Sequence, residues 1–213
     1  MSTGKAPRRT RSDGRRSREK ILVAAAQLAT VEGIDGLSIG RLAEHIGMSK
    51  SGLFAHFGSK QELQLEAVAT AEEIFREDVL KPALTEAPGL PRLEALCERF
   101  LSHVGRRLFP GGCFFQSVAA ELDTRPGPVR ERVIGVARGW NDLLADSVAD
   151  AQAQGELDPA LDTQQLAFEL NALLAFGNSL FLMDADKALD RARQGIAERI
   201  GRAREVPEPG RRR

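Results

Sequence analysis

Three serines, Ser38, Ser49 and Ser59, stand ten or eleven residues apart, and each is followed by apolar residues at helical spacing. A serine hydroxyl placed just ahead of a helix accepts a hydrogen bond from a free backbone N–H of the first turn, so each serine marks a helix start. After Ser38, Leu42 and Ile46 lie one turn apart, and Gly47 stands where a left-handed residue ends a helix. After Ser49, Leu53 and Phe57 are again one turn apart. Only three residues separate Ile46 from Lys50, the tight joint of a helix-turn-helix. Ser59-Lys60-Gln61-Glu62 then reads as a capping box opening a longer helix through Leu63, Ala67, Ile74 and Phe75 towards Leu80. Three helix starts this close together leave no room for a strand and fix the region as a small helical unit.

The flanking sequence agrees. From Arg18, the positions Ile21, Leu22, Ala25, Leu28 and Ala29 form one apolar stripe that ends near Gly33. Ahead of it, Lys5, Arg8, Arg9, Arg11, Arg15 and Arg16 lie among polar residues and glycine with nothing placed to pack, which reads as a basic flexible arm over residues 1–17. Downstream, Pro82, Pro88, Gly89 and Pro91 break the chain before a helix from about Arg92 to Leu108, and Phe109-Pro110-Gly111-Gly112 breaks it again. A short apolar helix from Cys113 to Leu122 and a Pro-rich turn, Thr124 to Pro128, precede a long helix reaching about Gln154. Asp162 with Gln165 reads as a further capping box, opening an apolar helix to Met183, and Ala188 to Arg202 forms the last. No segment alternates as a strand does. The expected fold is all-α, about nine helices, with a helix-turn-helix domain over residues 18–64, a larger helical domain over 65–204 and a disordered Pro/Arg-rich tail over 205–213.

Composition matters here mainly through where the charge lies. The net charge is zero, yet residues 1–64 carry eleven Lys/Arg against six Asp/Glu, so the remainder is acidic by the same five units. A basic front and an acidic rear suit a chain that offers one end to a polyanion. Two cysteines, Cys97 and Cys113, and three scattered histidines, His45, His56 and His103, supply no metal-ligand spacing, so neither a metal nor another cofactor is expected. The apolar run from Leu166 to Met183 is interrupted by Glu169, Asn171 and Asn178, which argues against a membrane span and for a cytoplasmic protein with reduced thiols.

The helix opening at Ser49, Lys50, Ser51 and Gly52 has small residues at its leading end, so its backbone can enter a major groove while Lys50 reaches a guanine edge or a phosphate. Ser38 and Lys60 begin the neighbouring helices, where free N–H groups and the positive dipole end attract phosphate. Residues 18–64 also resemble the N-terminal domain of TetR-family regulators: Ile21-Leu22-x-x-Ala25-Ala26, Gly36-Leu37-Ser38, Leu42-Ala43, Gly47-Met48-Ser49, Leu53-Phe54-x-His56-Phe57 and Ser59-Lys60. The resemblance implies phosphate contacts by Ser38, Phe54, His56 and Lys60, and base contacts around Lys50, Ser51, Gly52 and Ala55. Two positions depart from the family pattern. Phe54 stands where tyrosine is usual, removing a phenol that donates to phosphate. Gly40 stands where some relatives carry a base-reading arginine, so Arg41 or the basic arm is expected to take over part of that work.

Behind residue 65 the resemblance is to the family's variable C-terminal domain, which holds an effector pocket and the dimer interface. The Gly111-Gly112-Cys113-Phe114-Phe115 stretch looks like one subgroup of the family. Phe100, His103, Cys113, Phe114, Phe115, Trp140, Asn141, Phe168 and Phe176 combine aromatic walls with a few polar heads and are the candidates for a small-molecule pocket. The resemblance implies a homodimer packed through Leu166 to Met183 and Ala188 to Arg202, and the small Ala172, Ala175, Gly177 and Ser179 permit close approach. The expected function is a repressor released from pseudo-palindromic operator DNA by a small-molecule effector. A ligand-independent or activating DNA binder fits the same residues. A helical enzyme using Cys113 as nucleophile and His103 as base is the rival of a different class, but the sequence shows it no orienting partner, phosphate loop or carboxylate pair. A redox role for Cys113 or Cys97 would need a cation beside the thiol, and the sequence places none there.

Overall fold

The computed structural model describes residues 11–119, 121 and 126–204. Its elements are α1 (Arg11–Glu32), α2 (Ile39–Ile46), α3 (Lys50–Phe57), α4 (Lys60–Phe75), a π-helical turn (Arg76–Leu80), α5 (Lys81–Ala83), α6 (Leu90–Gly105), α7 (Phe114–Ala119), α8 (Pro128–Ala153), α9 (Thr163–Phe181) and α10 (Ala185–Arg204). Among the described residues there are nine helices of six residues or more, the three-residue α5, and no strand. The first ten residues of the expected arm, Ala120 and Leu122 of the expected short helix, Thr124 and Arg125 of the expected turn, and the tail 205–213 lie outside the described residues.

The front unit assembles as its caps dictate. Ser38, Ser49 and Ser59 all have extended backbones, and their hydroxyls accept from the N–H groups of Arg41, Gly52 and Glu62 respectively. Gly47 is left-handed (φ 67°) and returns its N–H to Ala43 and Glu44, which closes α2 and turns the chain into α3. Leu42, Leu53, Phe57 and Leu63 are buried against Ile21, Ala25 and Leu28 of α1 in one continuous core. Arg18 fastens this unit from outside. It forms an ion pair with Glu66 of α4, donates to the carbonyl of His56 at 3.4 Å, and stacks its guanidinium 5.1 Å from the Phe57 ring centre.

The expected boundary between arm and helix needs correction, since α1 begins at Arg11, seven residues before Arg18. Apolar packing is needed to hold a helix but not to prolong one: once nucleated, each further residue adds a hydrogen bond, so the polar stretch ahead of Arg18 continues the helix. Gly14, Arg15 and Arg16 are exposed on this extension. The boundary at residues 64 and 65 also falls inside α4, which runs unbroken from Lys60 at the front to Phe75 in the rear. At 1.5 Å per residue, this helix is a rod of about 24 Å.

In the rear unit, α8 packs on α4, α6 and α9, while α9 packs chiefly on α10. Asp162 caps α9 by accepting from the N–H groups of Gln164 and Gln165. The loop Phe109 to Cys113 is held on both sides. Gln27 of α1 donates to the Leu108 carbonyl at 2.8 Å, and Gly111 N–H donates to the Thr30 hydroxyl at 3.1 Å. On the other side, Asn178 of α9 accepts from Cys113 N–H at 2.8 Å.

Candidate nucleic-acid interface and ligand cavity

On the front face, Lys50, Ser51, Phe54, Ala55 and His56 are exposed along α3, with Gly52 half-buried, while Leu53 and Phe57 turn inward. Phe54 is 56% exposed, an outlay of apolar surface that the core does not use. Ser38, Ser49 and Lys60 sit at the N-termini of α2, α3 and α4, and Ser49 and Lys60 are exposed. Lys60 donates to the Asp35 carbonyl at 2.6 Å, which holds its ammonium over the loop between α1 and α2. The structure thus brings the expected DNA-contacting residues to one end of the molecule.

Arg41, at the same end on α2, is engaged by carboxylates. Its guanidinium donates to Glu32 at 2.8 Å through Nε and to Glu44 at 2.8 Å through Nη1, and these hydrogen bonds raise its pKa further above the ordinary arginine range. To reach a base edge, this guanidinium would have to exchange two exposed, individually weak ion pairs. Lys50 is better placed: its Cε and Nζ lie over Gly40, 3.7 and 3.9 Å from where a Cβ would stand there. The missing side chain at position 40 is therefore the space that Lys50 fills. Sequence spacing could not show this, because the two residues meet only through the α2–α3 joint.

In the rear, α4, α6, α7, α8 and α9 line a partly open cavity of about 190 Å3. Four aromatic rings, Phe75, Phe100, Phe115 and Trp140, form its apolar wall, and Gln116, Asn141 and Asn171 supply the polar atoms. Phe75 sits edge-on to the other three, with ring centres 5.4 to 6.3 Å apart. Trp140 donates from Nε1 to Asn171 Oδ1 at 3.0 Å, and Asn171 donates from Nδ2 to Asn141 Oδ1 at 2.9 Å. Cys113 also lines the cavity. Phe75, Gln116 and Asn171 were not singled out from sequence. Phe75 reads as ordinary core and the two amides as helix surface, and only the meeting of several helices makes them a site.

Four sequence candidates lie elsewhere. Phe114 is buried behind Phe109 and Phe115, away from the cavity wall. Phe168 and Phe176 are 67% and 69% exposed on the outer face of α9, because their spacing turns them away from Leu166, Leu170 and Leu174, which fill the core. His103 is buried beside Phe75 and Phe109, with its Nδ1 3.1 Å from Asp78 Oδ2. Asp78, on the π-helical turn, also pairs with Arg106. His103 therefore has the orienting carboxylate that the sequence did not reveal, but it is not on the cavity wall where Cys113 lies. Burial pushes the Cys113 thiol up to about 11 and the Cys97 thiol up to about 12. Both are protonated at neutral pH, which removes the thiolate that a nucleophile or redox sensor requires.

Burial pushes the His103 pKa down, and the Asp78 hydrogen bond recovers only part of the shift. Burial raises the Asp78 carboxyl, but Arg106 and His103 outweigh it and leave its pKa lowered. For the histidine, the unfolded chain binds more protons than the folded one between its lowered pKa and about 6.5. Its contribution to stability is thus complete above about pH 6.5 and declines as the pH falls below that value. For Asp78 the contribution is present above about 3.8 and declines as the pH falls further. Thermal melts from pH 8 to 5 should show a falling midpoint that is flatter in His103→Gln; an equal slope in both would rule out His103 as the source.

Among the described residues, no group of three His, Cys, Asp or Glu is placed to hold a metal ion, and no helix is long and apolar enough to cross a membrane. The front matches the family model for bacterial regulatory proteins of the tetR family over residues 21–67, and the rear matches the tetracyclin repressor-like C-terminal domain over residues 89–196. The chain is 30% identical over 137 residues to the HTH-type transcriptional regulator LmrA of Bacillus subtilis, an alignment covering 62% of this chain and 71% of LmrA. A crystal structure of a TetR transcriptional regulator from Chloroflexus aurantiacus superposes with a TM-score of 0.79 at 28% identity, covering 89% of this chain and 96% of that one. AibR, crystallised with isovaleryl coenzyme A and operator DNA, shares the fold with a TM-score of 0.71 at 24% identity, covering 87% of this chain and 97% of its own.

Proposed function

Since the chain belongs to the TetR family of bacterial transcriptional regulators, we propose that it is a homodimeric cytoplasmic repressor, without enzymatic activity, that leaves its operator when a small molecule enters the aromatic cavity. The observation that carries this reading is α4, with Lys60 at the DNA-facing end and Phe75 on the cavity wall. A ligand that moves Phe75 moves one end of a rigid rod, and the displacement reaches the end that sets the recognition helix. In a twofold dimer, that changes the separation of the two α3 helices against successive major grooves. AibR, whose crystal structure holds both a small molecule and operator DNA, shows that this fold accommodates both.

In this reading α3 enters the groove, with Lys50 at a base edge or phosphate and Ser51, Gly52 and Ala55 against the bases. Ser38, Ser49, Phe54, His56 and Lys60 lie along the phosphates. The dimer forms through α9 and α10. Selection of bound sequences from random duplexes by the purified protein should return a pseudo-palindrome; recovery of no sequence tighter than bulk DNA would overturn the proposal.

Two substitutions separate the roles on α3. Lys50→Ala should weaken operator binding by about 1–3 kcal/mol, and if Lys50 reads a base it should also relax preference at one position of each half-site. Phe54→Tyr restores a phenolic donor at an exposed site and should tighten binding about fivefold, the worth of one added hydrogen bond of about 1 kcal/mol. Fluorescence anisotropy at fixed salt measures both; an unchanged Phe54→Tyr affinity would place that ring away from the phosphates.

A further inference from the structure

The polar side of the cavity has a direction. The indole N–H of Trp140 can only donate, so the amide of Asn171 must turn its oxygen towards it, as the 3.0 Å contact shows. That leaves the Asn171 amide nitrogen facing Asn141, which answers with its own oxygen at 2.9 Å. One fixed donor therefore orients two amides in series. The chain ends at the mouth of the cavity in the NH2 group of Asn141, an exposed residue, which makes no hydrogen bond to any described residue. Each link polarises the next, which strengthens the terminal donor. The cavity wall carries no Asp, Glu, Lys, Arg or His, and its volume of about 190 Å3 is only modestly larger than a cavity of roughly 150 Å3 that accepts benzene.

From these constraints we infer that the cavity selects an uncharged, single-ring molecule carrying a carbonyl acceptor, with the ring among Phe75, Phe100, Phe115 and Trp140 and the carbonyl oxygen on Asn141. A donor-only head would meet the wrong end of the relay at Asn141, and a carboxylate would find no cation on the wall to pair it. The inference rests on the effector-cavity reading and adds ligand chemistry to it.

Trp140 is the sole tryptophan, so its indole N–H gives one resonance that reports on the first link of the relay. Titrations of the intact dimer with acetophenone, ethylbenzene and benzoate, following that resonance, compare a carbonyl, its apolar counterpart and an anion of similar size. Acetophenone should bind about fivefold more tightly than ethylbenzene, and benzoate should not saturate. Asn141→Leu should abolish the preference for acetophenone while leaving ethylbenzene affinity within about twofold. Equal affinities in the unmodified protein, or tighter binding of benzoate, would overturn the donor assignment while leaving the cavity as a ligand site. Failure of all three to bind would overturn the single-ring class. Operator release by larger compounds, measured separately, would then still support the repressor reading, whereas its absence across a broad compound set would count against both.

Discussion

Replacing Phe168 and Phe176 together by glutamate is expected to convert the proposed dimer into a folded monomer with operator affinity reduced by a hundredfold or more. The two rings are 67% and 69% exposed, and Ala172, Ser179 and Met183 continue the same outward stripe along and just beyond α9. The opposite face of α9 is already committed to the core through Leu166, Leu170, Leu174 and Phe181. A helix with a filled inner face and two large exposed rings on its outer one is built for a second partner. In a twofold interface each residue occurs twice, so four phenyl rings are buried, each contributing about 1.5–3 kcal/mol. Four glutamates would forfeit that and add like charges. The monomer keeps its fold because neither ring belongs to the core. Light scattering after size exclusion, circular dichroism and anisotropy on operator DNA together check the prediction, and a dimer that persists at micromolar concentration would contradict it. The operator loss follows from linkage: two half-sites on one dimer bind as a single event, whereas two monomers bind separately.

Legibility of this molecule in its sequence divides along a physical line. The front was readable because capping is local: Ser38, Ser49, Ser59 and Gly47 specify helix ends within a few residues, and the structure places a cap or a left-handed turn at each. Where side chains meet across elements, the sequence was silent. The two carboxylates that hold Arg41, the Lys50 stem over Gly40, and Arg18 bridging α1, α3 and α4 all depend on tertiary placement. The cavity shows the same limit. Trp140 and Asn141 were read as its aromatic wall and polar head, yet the direction of the hydrogen bonds runs through Asn171, thirty residues further along the chain. Phe176 shared the aromatic character of the pocket candidates, and only helix phase turns it outward.

Gly111→Ala is expected to lower the melting midpoint by roughly 5–20 °C, a large effect for adding one methyl group to a loop. An ideal Cβ at position 111 would stand 1.9 Å from the Thr30 carbonyl oxygen and 2.6 Å from its carbon, so it would overlap backbone that has no rotamer by which to yield. The loop would have to lift from α1. That breaks the Gly111 N–H bond to the Thr30 hydroxyl and strains the Gln27 bond to the Leu108 carbonyl. Each half-buried partner left unsatisfied costs about 1–3 kcal/mol, so the two together give about 2–6 kcal/mol. In a protein of this size, each kcal/mol moves the midpoint by about 2–4 °C. Gly135→Ala is the matched control: that glycine lies within α8 with nothing near its Cβ position, and the change should be neutral or slightly stabilising. Differential scanning calorimetry of both variants decides the matter, and a wild-type midpoint for Gly111→Ala would refute the close-packed loop. The same substitution bears on function, because this loop joins α1 at Thr30 to the cavity at Cys113 and to α9 at Asn178. A variant that folds at low temperature should bind operator DNA yet respond less to any ligand that releases the unmodified protein, since one connection between cavity and front unit has been pried apart.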